Sequence, residues 1–268
     1  MVSAPRPQEE QNCDIKRKLS IDRGYSITVD ENRQVRYDAF HSMFLTLLFH
    51  SPKLAVAWLV AILIAMTVHE FSHALAAVLR GDQTAERAGR LTLNPLAHLD
   101  LTGFLPLLLL GFGWAKPVPY NPYNLRHPKW DSVVVGLAGP VSNLIMAVVA
   151  GVILRFLLAG NAVTSLNLLV GFLFFFLLIN LFLLFFNLIP VHPLDGSKLF
   201  FALFDAPKWA PLRDFVAYRG PQILFFLVIL SFFGLNVFGF ISAPAFGMCD
   251  VLIGGKCAAF YHWIFSFG

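Results

Sequence analysis

Charge is what this chain has least of. Asp, Glu, Lys and Arg together make up 13% of its 268 residues, against about 25% in an ordinary soluble domain. With 57% hydrophobic residues and a mean hydropathy of +0.68, that scarcity excludes a conventional soluble domain and predicts a polytopic membrane protein. Cysteine is scarce too, and three residues cannot build a disulfide scaffold. Cys249 and Cys257 are able to pair if they face an oxidising compartment; otherwise they are two free thiols near a membrane surface. Met1 to Asp38 lacks the apolar stretch of a signal peptide. No G-x-S-x-G elbow is present, so serine hydrolysis finds no support. The net charge of +4 is dispersed rather than gathered in a stripe, so no nucleic-acid partner is expected.

Apolar runs are what the chain has instead. Four approach the ~20 residues needed to cross a ~30 Å hydrocarbon core: Lys53 to Leu79, Ser132 to Leu158, Leu166 to Ile189 and Pro221 to Ile241. Ala39 to Phe49 is apolar but short, and Val251 to Phe267 reads as interfacial. Leu101 to Tyr120 is too short to span and is rich in Gly and Pro, which predicts a re-entrant, β-hairpin-like segment. The predicted fold class is therefore an all-α polytopic membrane protein. Its core is three transmembrane helices, with the re-entrant hairpin and additional helices around it. Residues 1–38 form a polar N-terminal extension and residues 39–268 an integral membrane domain. Arg80, Arg87, Arg90, Lys116, Arg126 and Lys129 follow the first span, and Lys198, Lys208, Arg213 and Arg219 follow the third. Both loops should be cytoplasmic. The N-terminal segment carries seven basic and seven acidic residues and does not decide its side.

The end of the first span, toward the cytosol in this orientation, reads His69-Glu70-Phe71-Ser72-His73. On a helix, residues four apart share a face, so both imidazoles are able to hold one zinc ion. Glu70 is one step round, placed to take a proton from water rather than to ligate. Ionisable residues within a membrane span are costly and usually functional. A catalytic zinc takes a third protein ligand and keeps one position open. The candidates are Asp195, His98, Asp100 and His192. Asp195 ends Asn187-Leu188-Ile189-Pro190-Val191-His192-Pro193-Leu194-Asp195-Gly196, where two prolines forbid regular helix. Asn180 and Asn187 share a face of the third span, where amides serve to bond helices together. Asn143, early in the second span, has a second reading beside the developing oxyanion.

His69–His73, Gly139-Pro140-Val141-Ser142-Asn143 and Asn187–Gly196, in that order, resemble the site-2 protease family of intramembrane zinc metalloproteases, small prokaryotic type. Asn94 to Asp100 and Gly113-Trp114-Ala115-Lys116-Pro117-Val118-Pro119 are similar to the same members. The resemblance covers about Val56 to Phe240 and departs at His192, where many relatives have Pro. It implies one Zn2+ per chain held by His69, His73 and Asp195, Glu70 as catalytic base, and Asn143 as a catalytic residue beside the site. It also implies peptide-bond hydrolysis near the cytosolic side, regulated intramembrane proteolysis, single-span membrane protein substrates, a lipid bilayer as surroundings, and a multi-pass place in the prokaryotic inner membrane. The competing readings are a metal-binding membrane transporter and a non-catalytic scaffold. An intact Glu70 argues against the scaffold. A metallopeptidase with a downstream Glu ligand is opposed because Glu86, in a basic loop, is the only Glu after the motif.

Overall fold

Uncharged runs of Leu, Ala, Val and Phe become helices in a membrane because lipid offers the backbone no hydrogen-bond partner and a helix supplies its own. In the computed structural model, which describes residues 18–21, 25–28, 43–159, 168–233, 235, 237–255 and 257–266, such runs dominate. The chain divides into two compact units, Met1–Ala39 and Phe40–Gly268. The first contains a two-stranded antiparallel ribbon of β1 (Lys18–Ile21) and β2 (Tyr25–Thr28), with Lys18 opposite Thr28 and Ile21 opposite Tyr25.

Among the described residues of the second unit the regular elements are helices, with no strand. They run α1 (Met43–His50), α2 (Pro52–Leu79), α3 (Thr84–Arg87), α4 (Pro95–His98), α5 (Leu101–Leu110), α6 (Pro128–Ala159), α7 (Leu168–Asn187), α8 (Gly196–Leu203), α9 (Ala210–Phe232), α10 (Gly239–Ile253) and α11 (Cys257–Ser266). Four stretches are long and apolar enough to cross a membrane: Pro52–Leu79, Pro128–Ala159, Leu168–Asn187 and Pro207–Ser231. The core is α7 packed between α2 and α6. On α7, Val170, Phe174, Leu177, Leu181 and Leu184 are buried at helical spacing. Its neighbours meet it with Ala61 and Ala65 from α2 and Ala147 and Ala150 from α6, small residues that let helix backbones approach. The opposite stripe of α6, Val141, Ile145, Val149, Val152 and Phe156, is exposed, as a lipid-facing surface requires.

Two expectations from the sequence need correction. The re-entrant segment is not a β-hairpin. Leu101–Leu110 is helix α5, capped at its start by Asp100, whose side chain accepts from Thr102 N, and closed by Gly111 at φ +75°. An apolar, leucine-rich run satisfies its own backbone as a helix, which one exposed hairpin cannot do in lipid. The chain then returns in irregular extended form along α5, close enough that a Cβ on Gly113 would stand 2.6 Å from Leu107 Cβ. The fourth span also begins earlier than Pro221. The charges at Arg213, Asp214 and Arg219 ride on the first turns of α9 rather than in a loop. Beyond residue 232, α10 adds a core helix that the sequence left unassigned, burying Ile241, Ala245, Cys249 and Ile253 at a spacing of four.

Cys249 and Cys257 form a disulfide, with Cα atoms 5.9 Å apart, that ties the last turn of α10 to the start of α11. A Cβ on the adjoining Gly254 would lie 3.2 Å from the Arg155 guanidinium, near the C-terminal end of α6. Arg155 is sixteen residues past Gly139, about 24 Å along the helix.

Candidate metal centre

The register of α2 against α6 builds the site. His69 and His73 lie one turn apart on α2 and are both buried. Facing them on α6 are Val135, Gly139 and Asn143, also spaced by one turn. His73 Nδ1 bonds the Val135 carbonyl at 2.6 Å, and His69 Nδ1 bonds Asn143 Oδ1 at 2.5 Å. Gly139, between them, leaves the room into which both Nε2 atoms project. Asp195 comes from the break between α7 and α8. There Gly196 packs so tightly that a Cβ would sit 2.6 Å from the Leu188 carbonyl carbon. The Asp195 Oδ2 atom lies 3.3 Å from His69 Nε2 and 3.1 Å from His73 Nε2, and the two Nε2 atoms are 3.0 Å apart. Lys198, one turn into α8, holds the other carboxylate oxygen at 3.1 Å.

The hydrogen bonds fix the protons at this triangle. A carbonyl only accepts, so the Val135 contact requires the proton of His73 on Nδ1. Asn180 Nδ2 donates to the Phe176 carbonyl at 2.7 Å. Its Oδ1 therefore accepts from Asn143 Nδ2, also at 2.7 Å, and Asn143 is left to offer its own Oδ1 to His69 Nδ1. Both histidines thus carry a proton on Nδ1, and in the neutral ring this leaves the lone pair at Nε2. With both rings neutral, two lone pairs and a carboxylate oxygen converge, an arrangement that a single cation at the centre would satisfy. Tetrahedral zinc with bonds of about 2.0–2.1 Å places its ligands about 3.3 Å apart, and the three observed edges match that figure. Among the described residues this is the one His, Cys, Asp or Glu triplet whose donor atoms gather within 4.8 Å.

The other candidates lie outside the triangle. His98 is buried with Nε2 donating to the Thr92 carbonyl at 2.8 Å. Asp100 caps α5, Asn187 Nδ2 donates to Leu183 O at 3.0 Å within its own helix, and His192 is half-buried outside the donor group. Glu70 is half-buried, with Oε2 accepting from Val118 N at 3.2 Å. Sequence reasoning quoted Gly139 only within a motif and counted Lys198 only among the loop charges; it expected Asn180 to bond helices together but did not name Asn143 as the partner. Their local signals were a glycine four before Asn143, an amide in mid-span and a cation three residues after Asp195. Nearby, Asp82 fixes the chain beyond α2 by accepting from Thr84 N (3.0 Å), Thr84 Oγ1 (2.5 Å), Asn121 N (2.6 Å) and Asn124 Nδ2 (2.9 Å). Desolvation raises its carboxyl pKa, but these donors prevail and keep it below the ordinary value.

The relay from Asn180 makes an expectation of its own. Asn180→Leu keeps the side-chain size but removes the acceptor that orients the Asn143 amide, freeing it to turn its NH2 toward His69. Zinc affinity should then fall about 10- to 100-fold, as for loss of an outer hydrogen bond to a ligating histidine. Competition against a chromophoric chelator measures it.

Residues 157–231, which include α7 and Asp195 but not the His69–His73 motif, match peptidase family M50. The chain is 39% identical over 155 residues to "Putative zinc metalloprotease YwhC" of Bacillus subtilis (strain 168), covering 57% of this chain and 71% of that protein. It is 36% identical over 140 residues to "Putative zinc metalloprotease Rip2" of Mycolicibacterium smegmatis (strain ATCC 700084 / mc(2)155), covering 50% and 52% respectively. No solved structure matches the chain.

Proposed function

The chain belongs to peptidase family M50, the site-2 protease family of membrane zinc metalloproteases, and from that premise we propose that His69, His73 and Asp195 hold its zinc while Glu70 drives hydrolysis of peptide bonds in single-span membrane proteins. The protein is a multi-pass membrane metalloprotease acting in a lipid setting. Its place in a prokaryotic inner membrane rests on the resemblance to the small prokaryotic members, and the opening of the site toward the cytosol rests on the basic loops after the first and third spans.

Zinc, when bound, supplies a Lewis acid that polarises the scissile carbonyl and makes water acidic enough to attack at neutral pH. The chain's own residues do the rest. Asn143 and the Val135 carbonyl aim the imidazoles, and Lys198 steadies the free oxygen of Asp195. Glu70 takes a proton from the attacking water and delivers it to the departing amine nitrogen as the C–N bond breaks. Asn143, engaged with His69 and Asn180, acts as a positioning residue through His69. The substrate helix must unwind locally to present a carbonyl, so Gly or Pro in its span favours cleavage.

The convergence of two imidazole Nε2 atoms and one carboxylate oxygen, 3.0–3.3 Å apart, carries the reading. The purified protein in detergent should cleave a tagged single-span peptide, lose that activity to a strong chelator, and recover it when zinc is returned. Asp195→Asn should hold less than a tenth of the wild-type zinc, since a neutral amide oxygen is a poor substitute for a carboxylate ligand. Chelator-resistant cleavage would overturn the proposal.

A further inference from the structure

Prolines flank Val118 on both sides in Lys116-Pro117-Val118-Pro119. Proline has no N–H, so Val118 carries the one backbone donor among residues 117–119. That donor reaches Glu70 Oε2 at 3.2 Å. The stretch is held from the other side. Lys116 N donates to the His98 carbonyl at 2.9 Å. Arg90 Nη2 donates to the carbonyl of Lys116 and, at 3.4 Å, to that of Pro117. Arg90 is only 5% exposed and makes no ion pair with a carboxylate among the described residues. A buried guanidinium is costly unless its hydrogen bonds are met; here Nη2 finds two backbone carbonyls, while the buried Nε has no hydrogen-bond partner among the described residues. Read from the sequence, Arg90 belonged with the orienting charges of a cytoplasmic loop; in the structure it is an interior residue.

We propose that Arg90 and Val118 are positioning residues for the catalytic base. The Pro117 carbonyl and the Val118 N–H belong to one planar peptide group and point in opposite directions. A guanidinium that holds the Lys116 carbonyl and lies 3.4 Å from the Pro117 oxygen therefore leaves the Val118 N–H pointing away from itself, toward Glu70. The same grip polarises the peptide and strengthens it as a donor. Glu70 sits on a flexible three-torsion side chain beside ligand His69. With Oε2 pinned by Val118, Oε1 is left to meet the attacking water. The sequence device is economical: two prolines silence the neighbouring donors and keep the segment extended, so one N–H addresses one carboxylate oxygen.

This inference rests on Glu70 acting as the base, and the experiment separates the two. Val118→Pro deletes the N–H in a segment already confined to backbone that proline accepts; Val118→Ala keeps it and is the matched reference. On a tagged single-span peptide with a Gly-Pro pair in its span, kcat of Val118→Pro should fall about 30-fold below that of Val118→Ala, the scale of a misplaced catalytic group. KM should stay within about twofold, with one zinc retained per chain. Arg90→Leu should reproduce the kcat loss and Arg90→Lys should recover most of it. The double variant Arg90→Leu/Val118→Pro should fall no further than Val118→Pro alone, because both act through one bond. Equal kcat in the two Val118 variants, additive losses in the double variant, or loss of zinc in step with activity would each overturn the inference. A wild type that cleaves no better than Glu70→Gln would overturn the underlying reading of the base instead.

Discussion

Glu70→Gln is expected to bind one zinc per chain, melt like the wild type and lose cleavage by about a thousandfold or more, near the upper range for removing a general base. The separation of zinc from activity follows from where Glu70 stands. The converging donor atoms belong to His69, His73 and Asp195, and Glu70 is not among them. Gln has the same shape, and its amide oxygen still accepts from Val118 N, so the segment held by Arg90 stays in place. What Gln lacks is a site for the water's proton. Metal content by mass spectrometry beside cleavage of a tagged single-span peptide decides the matter. Cleavage within tenfold of the wild type would remove Glu70 from the mechanism, and lost zinc would mean that it supports the metal rather than the proton.

Legibility in the sequence followed the range of the interactions. His69 and His73 were readable because a spacing of four is a property of one helix. The spans were readable because hydrophobic length is local. Asp195 stood among four candidates, because its partners lie more than a hundred residues away and only the fold brings it to 3.1 Å of His73. Leu101–Leu110 was misread since Gly and Pro composition reports turns, while the choice between helix and hairpin turns on who satisfies the backbone. Arg90 was counted only as a loop charge, and nothing in its neighbours announces the carbonyls of residues 116 and 117. Asn143 and Asn180 were each visible as amides within spans. Their shared role needed the Phe176 carbonyl, which fixes the direction of every hydrogen bond down to His69.

Gly139→Ala is expected to abolish zinc binding and cleavage together while leaving the helices intact. The added methyl would stand 2.5 Å from His69 Cε1 and 2.7 Å from His69 Nε2, and closer still to His73 Nε2. Neither imidazole has room to yield. His69 is pinned one turn further along α6 by Asn143, and His73 one turn back by the Val135 carbonyl. The same helix that orients the two rings would therefore press the methyl between them. Swinging a ring aside means leaving a buried donor or acceptor unpaired, about 1–3 kcal/mol each, and moving Nε2 off the triangle that matches zinc. In an unstrained helix interior Ala is favoured over Gly by about 1 kcal/mol, so a loss of function cannot be charged to helix propensity. The check is zinc content and cleavage measured beside far-ultraviolet circular dichroism. Lost zinc with unchanged helicity would locate the effect at the paired registers of α2 and α6. Full zinc and full activity would mean that these helices separate freely at residue 139, and the close α2–α6 approach that defines the metal site here would be wrong.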